Sequence, residues 1–103
     1  MNHKTAKVIK IINGITFKVI SSDNQIFIIK LHCLSILNLE YLMYYESKEY
    51  LRKLLIQREV DIYYHNENEK IEGHCFIDNR NIGNIVLKNG MALLDNCESQ
   101  YRT

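Results

Sequence analysis

The apolar residues fall in short runs of β-branched side chains separated by polar turns, and at two places the spacing changes to that of a helix. Ala6 to Ile12 is the first such run, and Asn13-Gly14 directly after it is a strong hairpin signal. Thr16 to Ile20 is then the partner strand. Ser21-Ser22-Asp23-Asn24 makes a polar turn, and Gln25 to Cys33 continues as a longer run of strand formers broken by Lys30 and His32. Three strands therefore meander through the first third. From Glu40 to Gln57 the pattern is helical, with Tyr44, Ser47, Leu51, Leu54 and Leu55 on one stripe and Glu46, Glu49, Arg52 and Lys53 largely opposite. Glu59 to His65 returns to strand, Val60, Ile62 and Tyr64 alternating with Asp61 and Tyr63, and Asn66-Glu67-Asn68-Glu69 is a polar turn. Lys70 to Asp78 is the fifth strand. Asn81 to Lys88 has apolar residues at helical spacing, and Asn89-Gly90 supplies a left-handed stop. Met91-Ala92-Leu93-Leu94 is expected to pack before a polar tail over 95–103.

The order βββ-α-ββ-α is one that a five-stranded OB-type barrel allows, with one main and one short helix. A chain of 103 residues supports one hydrophobic core, so a single domain over 1–103 is expected, its core spanning about 6–94. With 47% hydrophobic and 24% charged residues the composition is that of an ordered globular chain. The segment Met1 to Thr5 is polar, and no stretch approaches the length of a membrane span, which leads to an expected cytoplasmic location. Cys33, Cys75 and Cys97 lack CxxC spacing and read as reduced thiols, with a zinc ribbon excluded. The formal charge of +1 conceals an asymmetry, because residues 1–38 hold five Lys and one Asp while the acidic residues concentrate beyond them. A local basic face on the N-terminal strands is the consequence to look for.

The segment Ala6-Lys7-Val8-Ile9-Lys10-Ile11-Ile12-Asn13-Gly14-Ile15-Thr16-Phe17-Lys18-Val19 resembles the first hairpin of staphylococcal nuclease-like domains. Phe27 to Asn38 resembles the next strand and its continuation, Glu46 to Tyr64 the family helix and fourth strand, and Gly73 to Ala92 the segment ending in the family's helix stop. The resemblance covers roughly 6–92 and implies a mainly β OB-fold barrel of staphylococcal nuclease-like type. It also implies where the chemistry would sit. Family nucleases hold Ca²⁺ with two aspartates, place a glutamate near the attacking water and clamp phosphate with two arginines. The matching positions here are Ile15 and Ser35 for the aspartates, Asn38 for the glutamate, and Lys30 and Glu72 for the arginines. All five differ from the family pattern, and Glu72 reverses the charge of the clamp. The expectation is a pseudo-enzyme without catalytic residues, metal or other cofactor, with Lys30 and Glu72 facing one side as a possible ion pair. The family's long C-terminal helix has no counterpart beyond Leu94, which would expose an apolar strip.

His32-Cys33 and His74-Cys75 repeat one dipeptide on two strands that the family fold would pair. Alternation sends the histidines to one face and the cysteines to the other, so one four-ligand metal site is not expected. For binding, the candidates are Lys7, Lys10, Lys18 and Lys30, with Tyr44 and Tyr63 as stacking partners, a combination that OB barrels use on single strands. Solvated lysines and tyrosines lining the helix–barrel seam are the competing reading. Two functions follow. The first is a noncatalytic module for nucleic acid or a nucleoprotein; the second is a protein-interaction module, such as a small assembly subunit or an inhibitor carried by a mobile element. A residual metal-dependent nuclease ranks below both, and neither a membrane nor a small-molecule substrate is expected as partner.

Overall fold

The computed structural model describes residues 1–36, 41–68 and 70–95, the side chain of Tyr41 excepted. Its longest strand, β1 (Asn2–Asn13), continues through antiparallel hairpins into β2 (Thr16–Ser21) and β3 (Ile26–Leu31). The two-residue β4 (Leu34–Ser35) precedes α1 (Tyr41–Leu55). Then come β5 (Glu59–Tyr64), β6 (Lys70–Ile77), the short β7 (Arg80–Asn81), α2 (Ile82–Lys88) and β8 (Leu93–Leu94). On its other side β1 pairs antiparallel with β5, β5 pairs with β6, and β6 pairs parallel with β3. The five long strands therefore close into a barrel in the circuit β1-β2-β3-β6-β5. A three-strand meander, a helix, and a returning pair whose last strand lies parallel to the third fit an OB-like fold.

Period-two burial builds the interior. Phe17 and Val19 of β2, Phe27, Ile29 and Leu31 of β3, Val60, Ile62 and Tyr64 of β5, and Ile71, Cys75 and Ile77 of β6 all point inward. Leu51 and Leu55 of α1 close one part of this core, and Ile82, Ile85 and Val86 of α2 another. Helix α2 starts on Asn81, whose side-chain oxygen accepts from Asn84 N–H at 3.1 Å. It stops where Gly90 adopts φ 69°, with Met91 N–H bonded back to Val86 C=O at 2.8 Å.

Two glycines matter for space and not for a left-handed turn. A Cβ on Gly14 would lie 2.6 Å from Ser47 Oγ, so the first hairpin needs glycine because α1 crosses its tip. Ser47 is itself buried and donates to Tyr44 C=O at 2.9 Å, while Asn13 Oδ1 accepts from Ile15 N–H to shape the turn. Gly73 lets β6 pass beside β5, where a Cβ would meet Tyr63 C=O at 2.6 Å.

Several elements differ from the sequence reading. β1 begins at Asn2 and not at Ala6, because the inward Lys4 is satisfied at the barrel end: its Nζ sits 3.6 Å from the Phe27 ring centroid and bonds Glu67 at 2.5 Å. Leu93 and Leu94 do not pack inward; they pair with β4 and stay about half exposed, while Ala92 is buried. Cys33 is disulfide-bonded, which corrects the reading of reduced thiols, since missing CxxC spacing says nothing about bridges between distant cysteines. Cys75 is a free, buried thiol. Cys97 and Glu69 lie outside the described residues. Among the described residues no helix is long and apolar enough to cross a membrane.

Candidate nucleic-acid interface

Because Phe17, Val19, Phe27 and Ile29 occupy the inward phase, their neighbours Lys18, Ile20, Ile28 and Lys30 occupy the outward one. On β1, Lys7 and Lys10 are exposed on the same outer surface, a bulge at Ile9 keeping Lys10 in phase. Register places Lys10 directly opposite Lys18, Lys7 opposite Ile20, and Lys30 opposite Thr16. The four lysines nominated by sequence thus share one face of the barrel. Among the described residues none of them has a carboxylate within ion-pair reach, although Glu59 is the register partner of Lys7 on β5. Elsewhere Lys4 pairs with Glu67 at 2.5 Å, Arg52 with Glu49 at 2.7 Å and Arg58 with Asp78 at 2.6 Å, whereas Lys48, Lys53, Lys70, Arg80 and Lys88 form no ion pair among the described residues. It is therefore the clustering of the four lysines, and not their lack of partners, that sets them apart. Like charges directly opposite one another destabilise a sheet, so the Lys10–Lys18 pair is not explained by folding.

Among the described residues, the positions matched to the nuclease chemistry do not converge as a metal or phosphate cradle. Ile15 is buried, its amide bonded to Asn13 Oδ1 and its carbonyl accepting from Leu31 N–H. Ser35 lies in β4 opposite Leu93, and Asn38 lies outside the described residues. Lys30 and Glu72 are register partners on β3 and β6 and face one side, as expected. Their ion pair is not formed. Glu72 instead meets His32 Nδ1 at 3.2 Å and accepts from Cys33 N–H at 3.3 Å, which Cys33 presents by adopting φ 63°. Among the described residues no group of three His, Cys, Asp or Glu side chains is arranged to hold a metal ion.

The tyrosines separate. Tyr44 is half-buried at the seam, its hydroxyl reaching Ile12 C=O at 3.5 Å, and Tyr64 is buried. Tyr63 instead faces outward on β5 within an aromatic row that the sequence reading missed. His3 of β1 stacks on it at 4.5 Å between centroids, and Phe76 of β6 meets it at 5.6 Å and 88°. His32 and His74 lie 4.7 Å apart between ring centroids beside that row, and both cysteines are buried. His74 and Cys75 alternate along β6, but β3 ends at Leu31 and His32-Cys33 form the turn after it, Cys33 with φ 63°, so strand alternation places only the second pair. The available signal was strand phase: His3, Asp61, Tyr63, His74 and Phe76 all fall on outward positions, where a large apolar ring such as Phe76 adds nothing to the core.

The titratable groups on this side are hydrogen-bonded or partly buried. The Asp61 carboxyl is held below its ordinary range by hydrogen bonds from His3 Nε2 at 3.0 Å and Thr5 Oγ1 at 2.9 Å. Partial burial pushes the His74 imidazole down, and the neighbouring His32 and His65 act in the same direction, favouring its neutral form. Full burial drives the Cys75 thiol up, so it is no candidate nucleophile. No protein-family model and no curated protein matches this chain.

Proposed function

We propose that this chain is a noncatalytic OB-like module, of staphylococcal nuclease-like type, whose β1-β2-β3 face binds the phosphate backbone of a nucleic acid, alone or within a nucleoprotein. The observation that carries the reading is Lys10 opposite Lys18, flanked by Lys7 and Lys30 on one face; Glu59 and Glu72 are register neighbours of Lys7 and Lys30 but form no ion pair with them. Cations clustered on one face are what phosphate recognition uses. The absence of catalysis rests on Ile15 and Glu72: one is buried hydrocarbon where a metal ligand would stand, the other a carboxylate engaged with His32 and the Cys33 amide.

Fluorescence anisotropy with a labelled oligonucleotide tests both parts. Affinity should fall as salt rises, with a logarithmic slope of about −3 if four lysines each neutralise one phosphate of a single strand. Oligonucleotide length should be unchanged after incubation with Ca²⁺; cleavage that copurifies with the wild type and disappears in a barrel variant would refute the pseudo-enzyme reading. A protein-interaction module is the second reading, favoured by Leu42 at 62% and Tyr45 at 51% exposure on α1. It predicts a copurifying protein whose retention is insensitive to the lysines.

A further inference from the structure

An open pocket of about 550 Å³ lies on the β1-β5-β6 side of the barrel, around the corner from the lysines. Tyr63 and Phe76 form its walls, their rings meeting at 88°, and Asp61, His74, Asn79 and Asn81 stand around them. We infer that this pocket holds an unpaired nucleobase of a single strand whose phosphates run along the lysine face. The inference rests on the proposed function above and adds to it the strandedness of the ligand and the place of the base.

Three features point to a base. First, the volume falls within the ordinary 300–1,000 Å³ of small-ligand sites, and two aromatic planes at a right angle let a flat ring stack on one and present its edge to the other. Second, the rim carries the groups that read base edges. Asp61 is an acceptor, Asn79 offers an amide, and Asn81 keeps its amide N–H donors while its oxygen caps α2. Third, the pocket repels phosphate and the neighbouring face attracts it. Asp61 is anionic, and partial burial favours neutral His74, so a phosphate gains nothing here. Lys7 lies four residues along β1 from His3, which stacks on Tyr63, so the lysine face and the pocket are about 14 Å apart at ~3.4 Å per residue, close enough for one strand to reach both. A duplex keeps its bases stacked inside and cannot fill such a pocket.

The test compares a labelled twelve-residue oligothymidylate with an abasic oligomer of the same length on the intact chain. The expected result is similar salt slopes for both, with the oligothymidylate bound about five- to hundredfold tighter. That difference should vanish in the Tyr63→Leu, Phe76→Leu double variant and survive in Tyr63→Phe, with thermal unfolding confirming that the variants are folded. Photocrosslinking the wild type to a 5-iodouracil oligomer gives a reading that needs no variant, the adduct falling on Tyr63, Phe76 or His74. Equal binding of the two oligomers would overturn the base pocket while leaving the lysine face standing. A base preference that persists in the double variant, or adducts confined to α1, would also overturn the pocket. Binding of neither oligomer would remove the lysine reading and the pocket with it.

Discussion

Along β1 the outward side chains pass from His3 and Thr5, both bonded to Asp61 across the β5 ladder, to Lys7 and Lys10, which have no ion-pair partner among the described residues. On the β1-β5-β6 side the carboxylates are hydrogen-bonded, Asp61 to His3 and Thr5 and Glu72 to His32 and the Cys33 amide, and burial favours neutral His74. The β1-β2-β3 side sets Lys10 against Lys18 and leaves the charge standing. One barrel thus carries a hydrogen-bonded aromatic face and a basic face that sets like charges opposite each other. Only the second contains a cost that folding does not explain, and that is why the binding of phosphate is assigned there and the binding of a flat ring to the other.

The two faces are joined through the barrel closure, and breaking that closure is expected to have the largest effect. Gly73→Ala drives a methyl against Tyr63 C=O and should destabilise the fold by about 1–3 kcal/mol, read by urea or thermal unfolding, while disturbing the aromatic corner. An unchanged midpoint would show that β6 can retreat from β5.

Acidification should separate the faces next. The depressed His74 means that below its ordinary 6.5 the unfolded chain takes up a proton before the folded one does. Stability is therefore lost as pH falls from about 7 through 6.5 towards the folded value, and His74→Gln should remove that loss. Burial is the main cause of this shift, and His32 and His65 push in the same direction. Asp61 contributes separately: its stabilisation is present above 3.8 and disappears as pH falls through its lowered folded value. Unfolding curves at stepped pH check both windows.

The smallest effect sharpens the comparison most. Lys18→Glu turns a like-charge pair into an opposite one and should raise stability by about 0.2–1 kcal/mol while weakening oligonucleotide binding. A loss of both would mean that Lys18 serves the fold.

The barrel was legible because its strands keep a strict inward phase, from Phe17 and Val19 through Ile71 and Cys75, and because Asn81 and Gly90 bound α2 by local chemistry. The lysine face was legible for the same reason, since phase alone fixes outward positions. What depended on partners distant in sequence was not. Lys4 reads as polar and exposed until Phe27 and Glu67 close over it. Gly14 reads as a left-handed turn residue until α1 brings Ser47 to its α-carbon. Glu72 was matched with Lys30 across the right ladder, yet the left-handed Cys33 turns its amide, and His32 its ring, to the same carboxylate. The aromatic corner needed the β5–β6 register, which sets Tyr63 beside His74 and Asp61 beside Phe76.

The most direct test of the account is the salt dependence of single-stranded oligonucleotide affinity for the wild type beside the Lys10→Glu, Lys18→Glu double variant. The account predicts a slope of about −3 for the wild type, flattened by at least about 1.4 in the variant, with weaker binding throughout. Identical slopes and affinities for the two proteins, or no binding by the wild type at low salt, would contradict it.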